Sequence, residues 1–558
     1  MKTIVGHSVC GDIDQLIRSG RPVRPEWLVG RDVLDSLLLT RMVDENRLSY
    51  SLEDLVCDEF AVRPWKQETQ EIFDRTGDMA DVPLPQLQAR CLRDAWGAAL
   101  LVKKFAPKVP PRLSEFTHRL AATVHRLGLA GGTLEENRFL EFCQSTEANT
   151  TALRKQLRAI AGSAGMTVFD PSNDHHIREL LFKRMSFPVG GRTPTGLPKV
   201  DAETLAELSH SVTDLLCRYS EWDKLQTTYA AGLQTLARPH GDMLWLEWHI
   251  NPLGARTGRR SSQDPNSQNF PATLRRCFRS RFPGGKILSV DFSRLEVIVL
   301  AWLAGEERLL RWFTTGRGYI DVGKWLLGKT VEDGSPDYKV VKQLVLATHY
   351  RAQGKKAAGV LRKMGISISD HEAQGLQEKY LSELPGIGVY ITRRKEELLT
   401  TGQVRSPVGR VRHLPCYDGE HTPGFWGLWN QAVNFPVQSF AGEITAGALC
   451  DVEAALLAEA GVSLEEHHRA LLNWQAARLG LTAAPRVVVR SDLMDGPDYS
   501  LISNEVHDEL VVDLHPRSFK RDADLVREMM CAGVSIRALC PEFSPALSVG
   551  VSVGGWWE

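Results

Sequence analysis

The sequence has no apolar run of about eighteen residues, which excludes a membrane-spanning helix. Its first residues, Met1-Lys2-Thr3-Ile4-Val5-Gly6-His7, lack the apolar stretch of a signal peptide. Paired cysteines are missing as well. The 10 cysteines are scattered, with no CxxC spacing, which argues against a zinc site or a disulfide framework and fits reduced thiols in a cytoplasmic compartment. No internal repeat or low-complexity tract appears. Two His-His pairs, His175-His176 and His467-His468, lie far from any ligand cluster and read as surface histidines. Charge of one sign is also missing, since the formal net charge is -1. Composition therefore announces no polyanionic partner, although a large enzyme can confine its basic residues to one cleft and balance them elsewhere.

What is present is a chain of 558 residues, 43% hydrophobic, long enough for about three or four domains. Residues 1–145 read as mixed strand and helix, with apolar patches at Leu37 to Leu39 and Leu92 to Val102. Residues 146–235 read as helical around a Gly/Pro/Thr-rich loop, Phe187 to Lys199. Short strands and turns follow at 240–300, then helices over 305–400. Apolar β-like runs are expected at 486–490, 509–514 and 547–553. Basic clusters gather at Arg256 to Arg260, Arg275 to Arg281, Lys355-Lys356, Arg393 to Lys395 and Arg405 to Arg412. Such clusters are usually a solvated face, but their grouping between 256 and 412 raises the expectation of a phosphate-binding cleft.

Two acidic segments carry the chemistry. Ile287-Leu288-Ser289-Val290-Asp291 is an apolar strand ending in an acid, followed by Phe292-Ser293-Arg294-Leu295-Glu296 leading into a helix. Taken alone, Asp291 suits a helix N-cap at least as well as a metal ligand. Asn504 to Asp513 reads as a β-hairpin with His507-Asp508-Glu509 at its tip. Adjacent acids repel, so the tip is either solvated or neutralised by a cation. Strands bringing Asp291 and Asp508 together would hold two Mg²⁺ ions about 3.5–4 Å apart, in the manner of two-metal phosphoryl chemistry.

The ordered segments resemble family A DNA polymerases, the family typified by bacterial DNA polymerase I. Arg256-Thr257-Gly258-Arg259-Arg260-Ser261-Ser262 through Asp264-Pro265-Asn266-Ser267-Gln268-Asn269-Phe270-Pro271 is similar to the TGRxSS…DPNxQNxP segment. Asp291 to Glu296 resembles DYSxxE, Lys342 to Tyr350 the fingers helix, Asn434-Phe435-Pro436-Val437-Gln438 the next segment, and Val506-His507-Asp508-Glu509-Leu510 motif C. Upstream, Phe169-Asp170-Pro171-Ser172, Thr193-Pro194-Thr195-Gly196 and Lys224-Leu225 to Tyr229 resemble the thumb.

The resemblance implies an α/β multidomain chain with a right-hand polymerase of palm, fingers and thumb, preceded by a truncated RNase H-like exonuclease domain. The expected divisions are 1–145 exonuclease-like, 146–240 thumb, 241–303 first palm part, 304–424 fingers and 425–558 second palm part. It implies DNA-directed DNA synthesis, with primer-template DNA and dNTPs as partners and two Mg²⁺ ions, replaceable by Mn²⁺, as cofactor. Asp291 and Asp508 would bind the metals with the Phe292 carbonyl, and Glu509 is a secondary catalytic candidate. Glu296 would crowd the 2′ position of the incoming sugar, Lys342 would meet the triphosphate, Leu346 would pack on the nucleotide and Tyr350 would stack near the template base. Lys342, Leu346 and Tyr350 recur every four residues, so a helix over 338–357 would present them on one face. Arg259, Asn434 and Gln438 match minor-groove contacts, His507 would lie by the primer terminus, and Arg410 would either meet phosphates or sit on the surface.

The sequence departs from the family pattern in places. Tyr338 stands where an arginine is usual, with Lys339 beside it as a substitute. Asn430 stands where arginine is frequent, and Asp321 where histidine is. Leu346 matches phage-type relatives, so the expected setting is the cytoplasm of a bacterium or a phage-infected host. Gly6 to Asp12 resembles the second motif of the proofreading exonuclease, and Arg90 to Asp94 the third. The first motif has no counterpart, so Asp12 and Asp94 read as a remnant that cannot proofread unaided, unless a separate polypeptide or a sequence upstream of Met1 completes the site. Replication accessory proteins are further expected partners.

Overall fold

The computed structural model describes residues 3–315, 317–351, 354–479 and 496–557; the β-like run expected at 486–490 lies outside them. The chain divides into two compact units. One comprises 132–247, 269–281 and 555–558. It holds a four-stranded sheet built from Gly132–Glu135, Arg238–His240, Met243–Leu246 and Phe278–Arg279. Its long helix, Glu136–Ser163, packs with Ser211–Lys224 around a core that includes Leu153, Leu157, Leu180 and Leu216.

The other unit comprises 1–131, 248–268 and 282–554 and contains every acidic candidate named above. Its centre is a four-stranded antiparallel sheet of β1 (Lys286–Phe292), β2 (Leu501–Val506), β3 (Glu509–Leu514) and β4 (Val549–Gly554), in the order β2-β3-β1-β4. In β1 the apolar residues Ile287, Leu288, Val290 and Phe292 are buried while Asp291 stays open. The strand therefore hides its hydrophobic atoms and leaves one carboxylate at its end. Strands β2 and β3 are buried almost throughout, and they are joined by His507-Asp508, with Val506 paired to Glu509. His507 takes the left-handed conformation, φ 59°, which closes this two-residue turn.

Four helices border the site: α1 (Leu295–Leu303), α2 (Pro336–His349), α3 (Pro385–Thr401) and α4 (Phe425–Glu459). Helix α4 is apolar on nearly all sides because it is buried along most of its length. An aromatic cluster of Trp302, Phe440 and Phe543, with ring centroids 5.1–5.3 Å apart, ties α1 to α4. Among the described residues no helix is long and apolar enough to cross a membrane.

Three expectations need correction. The helix expected over 338–357 stops at His349; Arg351 turns left-handed at φ 53°, and a new helix starts at Gly354. His467 and His468 are not surface residues but buried ones. A Ser463/Glu466 capping box starts their helix. Its inner face then seats His467 against the Tyr499 hydroxyl at 2.7 Å and His468 against Asp14 at 2.7 Å. Three arginines from two of the basic clusters are likewise folded inward, while Arg256 and Arg405 of the same clusters stay exposed. Arg410, 4% exposed, donates to Glu443 at 2.9 Å, Arg260 pairs with Glu505, and Arg412 reaches Glu45 at 2.7 Å. Buried cations of this kind require paired carboxylates, so they are spent on the fold and do not face a polyanion.

Candidate active site

Asp291 and Asp508 meet because β1 and β3 are adjacent in the sheet. Asp291 lies opposite Glu509 in register, and the Phe292 amide donates to the Asp508 carbonyl at 3.2 Å. The Asp291 and Asp508 carboxyls are themselves hydrogen-bonded. Partial burial, together with the charges of Asp508 and Glu509, pushes the Asp291 carboxyl up to about 7. Burial and the charge of Glu296 also raise Asp508. Glu509 is turned aside, accepting from the Ser289 hydroxyl at 2.5 Å. Asp291 does not act as a helix cap; Arg294, at φ 60°, holds the N-cap position of α1.

An open cleft of about 460 Å³ has both aspartates on its floor, and Glu296, Lys342, Leu346, Arg259 and His507 also line it. Glu296, on the first turn of α1, is held from two sides. Arg259 forms an ion pair with one carboxylate oxygen, and the Tyr350 hydroxyl donates to the other. The Gln438 side chain also bonds the Tyr350 hydroxyl, and the Arg259 Nε donates to the Gln438 carbonyl at 3.3 Å. Arg259 lies flat on α4 where Gly442 leaves room, since a Cβ there would sit 3.0 Å from the Arg259 Cγ. Similarly, Gly258, at φ +80°, lets the Arg410 guanidinium approach to 2.5 Å of where a Cβ would stand.

Lys342 and Leu346 share the cleft-facing side of α2, while Tyr350 serves as its C-cap. Asn434 and Gln438 lie one turn apart on α4, both half-buried. Lys339 is exposed and is not part of the cleft lining. Sequence reasoning missed Arg294 and Tyr319, which also line the cleft. Arg294 reaches the Tyr338 side chain, and Tyr319 packs edge-on against Tyr338 with centroids 5.7 Å apart. The signal available in the sequence was the replacement at position 338, since both residues contact Tyr338.

The donor set suits a hard divalent cation. Two neighbouring carboxyls whose proton affinities are both raised, Asp291 by burial and by Asp508 and Asp508 by burial and by Glu296, are neutralised by such an ion, and Mg²⁺ prefers oxygen ligands.

The N-terminal candidates are arranged differently. Asp94 accepts from the Trp65 indole at 2.9 Å and pairs with Lys66 at 3.5 Å. Asp12 is raised by burial and by Asp35. Among the described residues no hydrogen bond joins Asp12 to Asp94. Asp35 accepts from the amides of Ser8, Val9 and Leu37 at 2.9–3.0 Å, so it works as a cap for two helices.

Comparison with known proteins places these features in a family. The family model described as DNA polymerase family A matches residues 137–558. The thermostable DNA polymerase I of Thermus thermophilus is 27% identical over 372 residues, covering 63% of this chain and 43% of that protein. DNA polymerase I of Pseudomonas aeruginosa is 26% identical over 467 residues, covering 81% of this chain and 45% of that protein. The chain thus spans less than half the length of these two relatives. Among solved structures, the POL domain of Pol1 from M. smegmatis in complex with DNA primer-template and dNTP matches with a TM-score of 0.72 at 20% identity, covering 94% of this chain and 82% of that one. At that identity the likeness establishes a shared fold.

Proposed function

Because the chain belongs to DNA polymerase family A, we propose that it adds deoxynucleotides to a primer 3′-hydroxyl on a DNA template. The observation that carries the reading is the meeting of Asp291, at the end of β1, with Asp508, in the turn that leads into the neighbouring β3, with Asp291 lifted to about 7 by burial and neighbouring charge. Asp291, Asp508 and the Phe292 carbonyl would hold a pair of Mg²⁺ ions. When bound, the ions would supply activation of the primer hydroxyl and charge neutralisation at the leaving pyrophosphate. In this reading residues 241–303 and 425–558 form the palm, 304–424 the fingers and 146–240 the thumb.

The remaining side chains bind and orient. Lys342 places a point charge on the triphosphate, and Leu346 covers the nucleotide from the same face of α2. Glu296 is fixed by Arg259 and Tyr350, so its carboxylate cannot swing away and blocks the space a 2′-hydroxyl would need. Arg259, Asn434 and Gln438 would follow the minor groove, where acceptor positions are nearly the same for every base pair and shape is what is tested. His507, exposed at the tip of the hairpin, would stand beside the primer terminus.

Primer extension with Mg²⁺ tests the reading. The wild type is expected to incorporate dNTPs and to discriminate against rNTPs. Asp291→Ala and Asp508→Ala should each abolish extension while leaving primer-template affinity within about threefold, because phosphate contacts dominate DNA binding. Extension that survives either substitution, or equal use of rNTPs and dNTPs, would overturn it.

A further inference from the structure

Helix α4 carries an aromatic feature for which the reaction scheme has no use. Trp426, on its first turn, is 68% exposed. Its ring lies against Trp429, with centroids 5.4 Å apart and planes at 31°. The Arg351 guanidinium sits 3.2 Å from the Trp429 ring centroid and 5.4 Å from that of Trp426, and Arg351 Nη1 donates to Asn430 Oδ1 at 3.1 Å. The Lys395 ammonium lies 4.7 Å from the Trp429 ring centroid. The Trp426 ring is thus braced by Trp429 and has the Arg351 cation beside it, and an exposed indole next to a cation suits a stacked base with its phosphate.

We propose that Trp426 is a stacking platform for an unpaired template nucleobase lying ahead of the insertion site. The proposal rests on the polymerase reading above.

Position argues for it. Trp426, Asn430, Asn434 and Gln438 recur every four residues and so follow one face of α4. Gln438 and Asn434 are the minor-groove candidates. The segment that ends α2 runs beside the same face, since Tyr350 meets Gln438 and Arg351 meets Asn430. Trp426 lies two turns of α4 beyond Asn434, beside the segment that ends α2, and that is where the proposal puts the uncopied strand. The eight residues from Asn434 to Trp426 span about 12 Å at 1.5 Å per residue. A stacked strand rising about 3.4 Å per nucleotide covers that distance in three to four nucleotides.

Charge selects the occupant. Arg351 is pulled down to about 10 by burial and is still cationic at neutral pH. Lys395 is paired with Glu420 at 2.8 Å, so Arg351 is the cation an occupant would meet; a second protein chain would have to cover it as well as the ring, whereas single-stranded nucleic acid supplies a π face and phosphates together.

The test is equilibrium binding of the full chain to primer-templates that differ only in the template 5′ overhang, one nucleotide against about six, the longer one exceeding the reach calculated above. Trp426→Ala should weaken binding to the long overhang by about 5- to 150-fold, the range for loss of one stacked base, and leave the one-nucleotide substrate unchanged. Trp426→Phe should retain most of the advantage, and a long overhang of abasic residues should bind the wild type no better than a one-nucleotide overhang. The proposal is overturned if Trp426→Ala weakens both substrates alike, if it weakens neither, or if the abasic overhang binds as well as one bearing bases. Extension of the one-nucleotide substrate, run in parallel, reports on polymerase activity alone. A wild type that shows the overhang effect without extension would sink the polymerase reading and leave the platform standing. Extension without the overhang effect would do the reverse.

Discussion

At the scale of single residues the site is governed by crowded negative charge. Asp291 titrates at about 7 rather than 3.8, first because it is partly buried and then because Asp508 and Glu509 are close. The folded state therefore holds this proton more tightly than the unfolded chain does. The resulting stabilisation is fully present below the unfolded value and is lost as the pH rises through about 7. In a chelator, the wild type should lose Tm between about pH 5 and pH 8, and Asp291→Asn should lose less, because it carries no charge to repel Asp508. Added Mg²⁺ should restore the wild type at the upper pH and leave the variant nearly unmoved. Thermal melts across that range check the sign, and a wild type insensitive to both pH and Mg²⁺ relative to Asp291→Asn would contradict it. The same crowding explains what was readable in the sequence. The His507-Asp508-Glu509 tip between apolar runs announced a hairpin, and the apolar run into Asp291 announced a strand. That the two would lie side by side is a matter of sheet order, which no local pattern encodes.

At the scale of elements, legibility followed burial. Helices and strands with one clear apolar face stood out. What stayed hidden was any polar residue whose partner is distant in sequence. His467 and His468 looked like surface residues because their partners, Tyr499 and Asp14, lie far away along the chain. Arg410 looked free because Glu443 sits on another element. The end of α2 was misjudged for a related reason: the left-handed residue is Arg351, not a Gly or Asn, and its side-chain partners Trp429 and Asn430 are distant in sequence.

The buried pair of Arg126, on the helix Pro111–Ala130, with Glu453 on α4 shows the energetic side of such partnerships. Arg126 donates to both Glu453 oxygens at 2.6–2.7 Å and to the Leu28 carbonyl at 2.6 Å. Removing one member strands a buried charge, so Arg126→Ala should cost about 3–5 kcal/mol in chemical denaturation. The uncharged double variant Arg126→Met/Glu453→Gln should recover part of that loss. A single variant as stable as the wild type would show that the pair does not hold these helices together.

At the scale of the whole molecule, the segment before residue 132 packs within the same compact unit as the sheet that carries Asp291. Two of its acidic residues are committed to structure: Asp35 caps helices, and Asp94 is engaged by Trp65 and Lys66. The isolated chain should therefore show no 3′–5′ degradation of single-stranded DNA with Mg²⁺; robust metal-dependent digestion, abolished by Asp12→Ala, would contradict this. The account as a whole turns on whether Asp291 and Asp508 share metal ions beside a nucleotide. The most direct measurement is anomalous diffraction from a crystal of the chain with primer-template, an incoming dNTP and Mn²⁺. Two peaks about 4 Å apart, each within bonding distance of both carboxylates, are expected. A nucleotide bound in the cleft with no peak at Asp291 and Asp508, or with Mn²⁺ held by other side chains, would contradict the account.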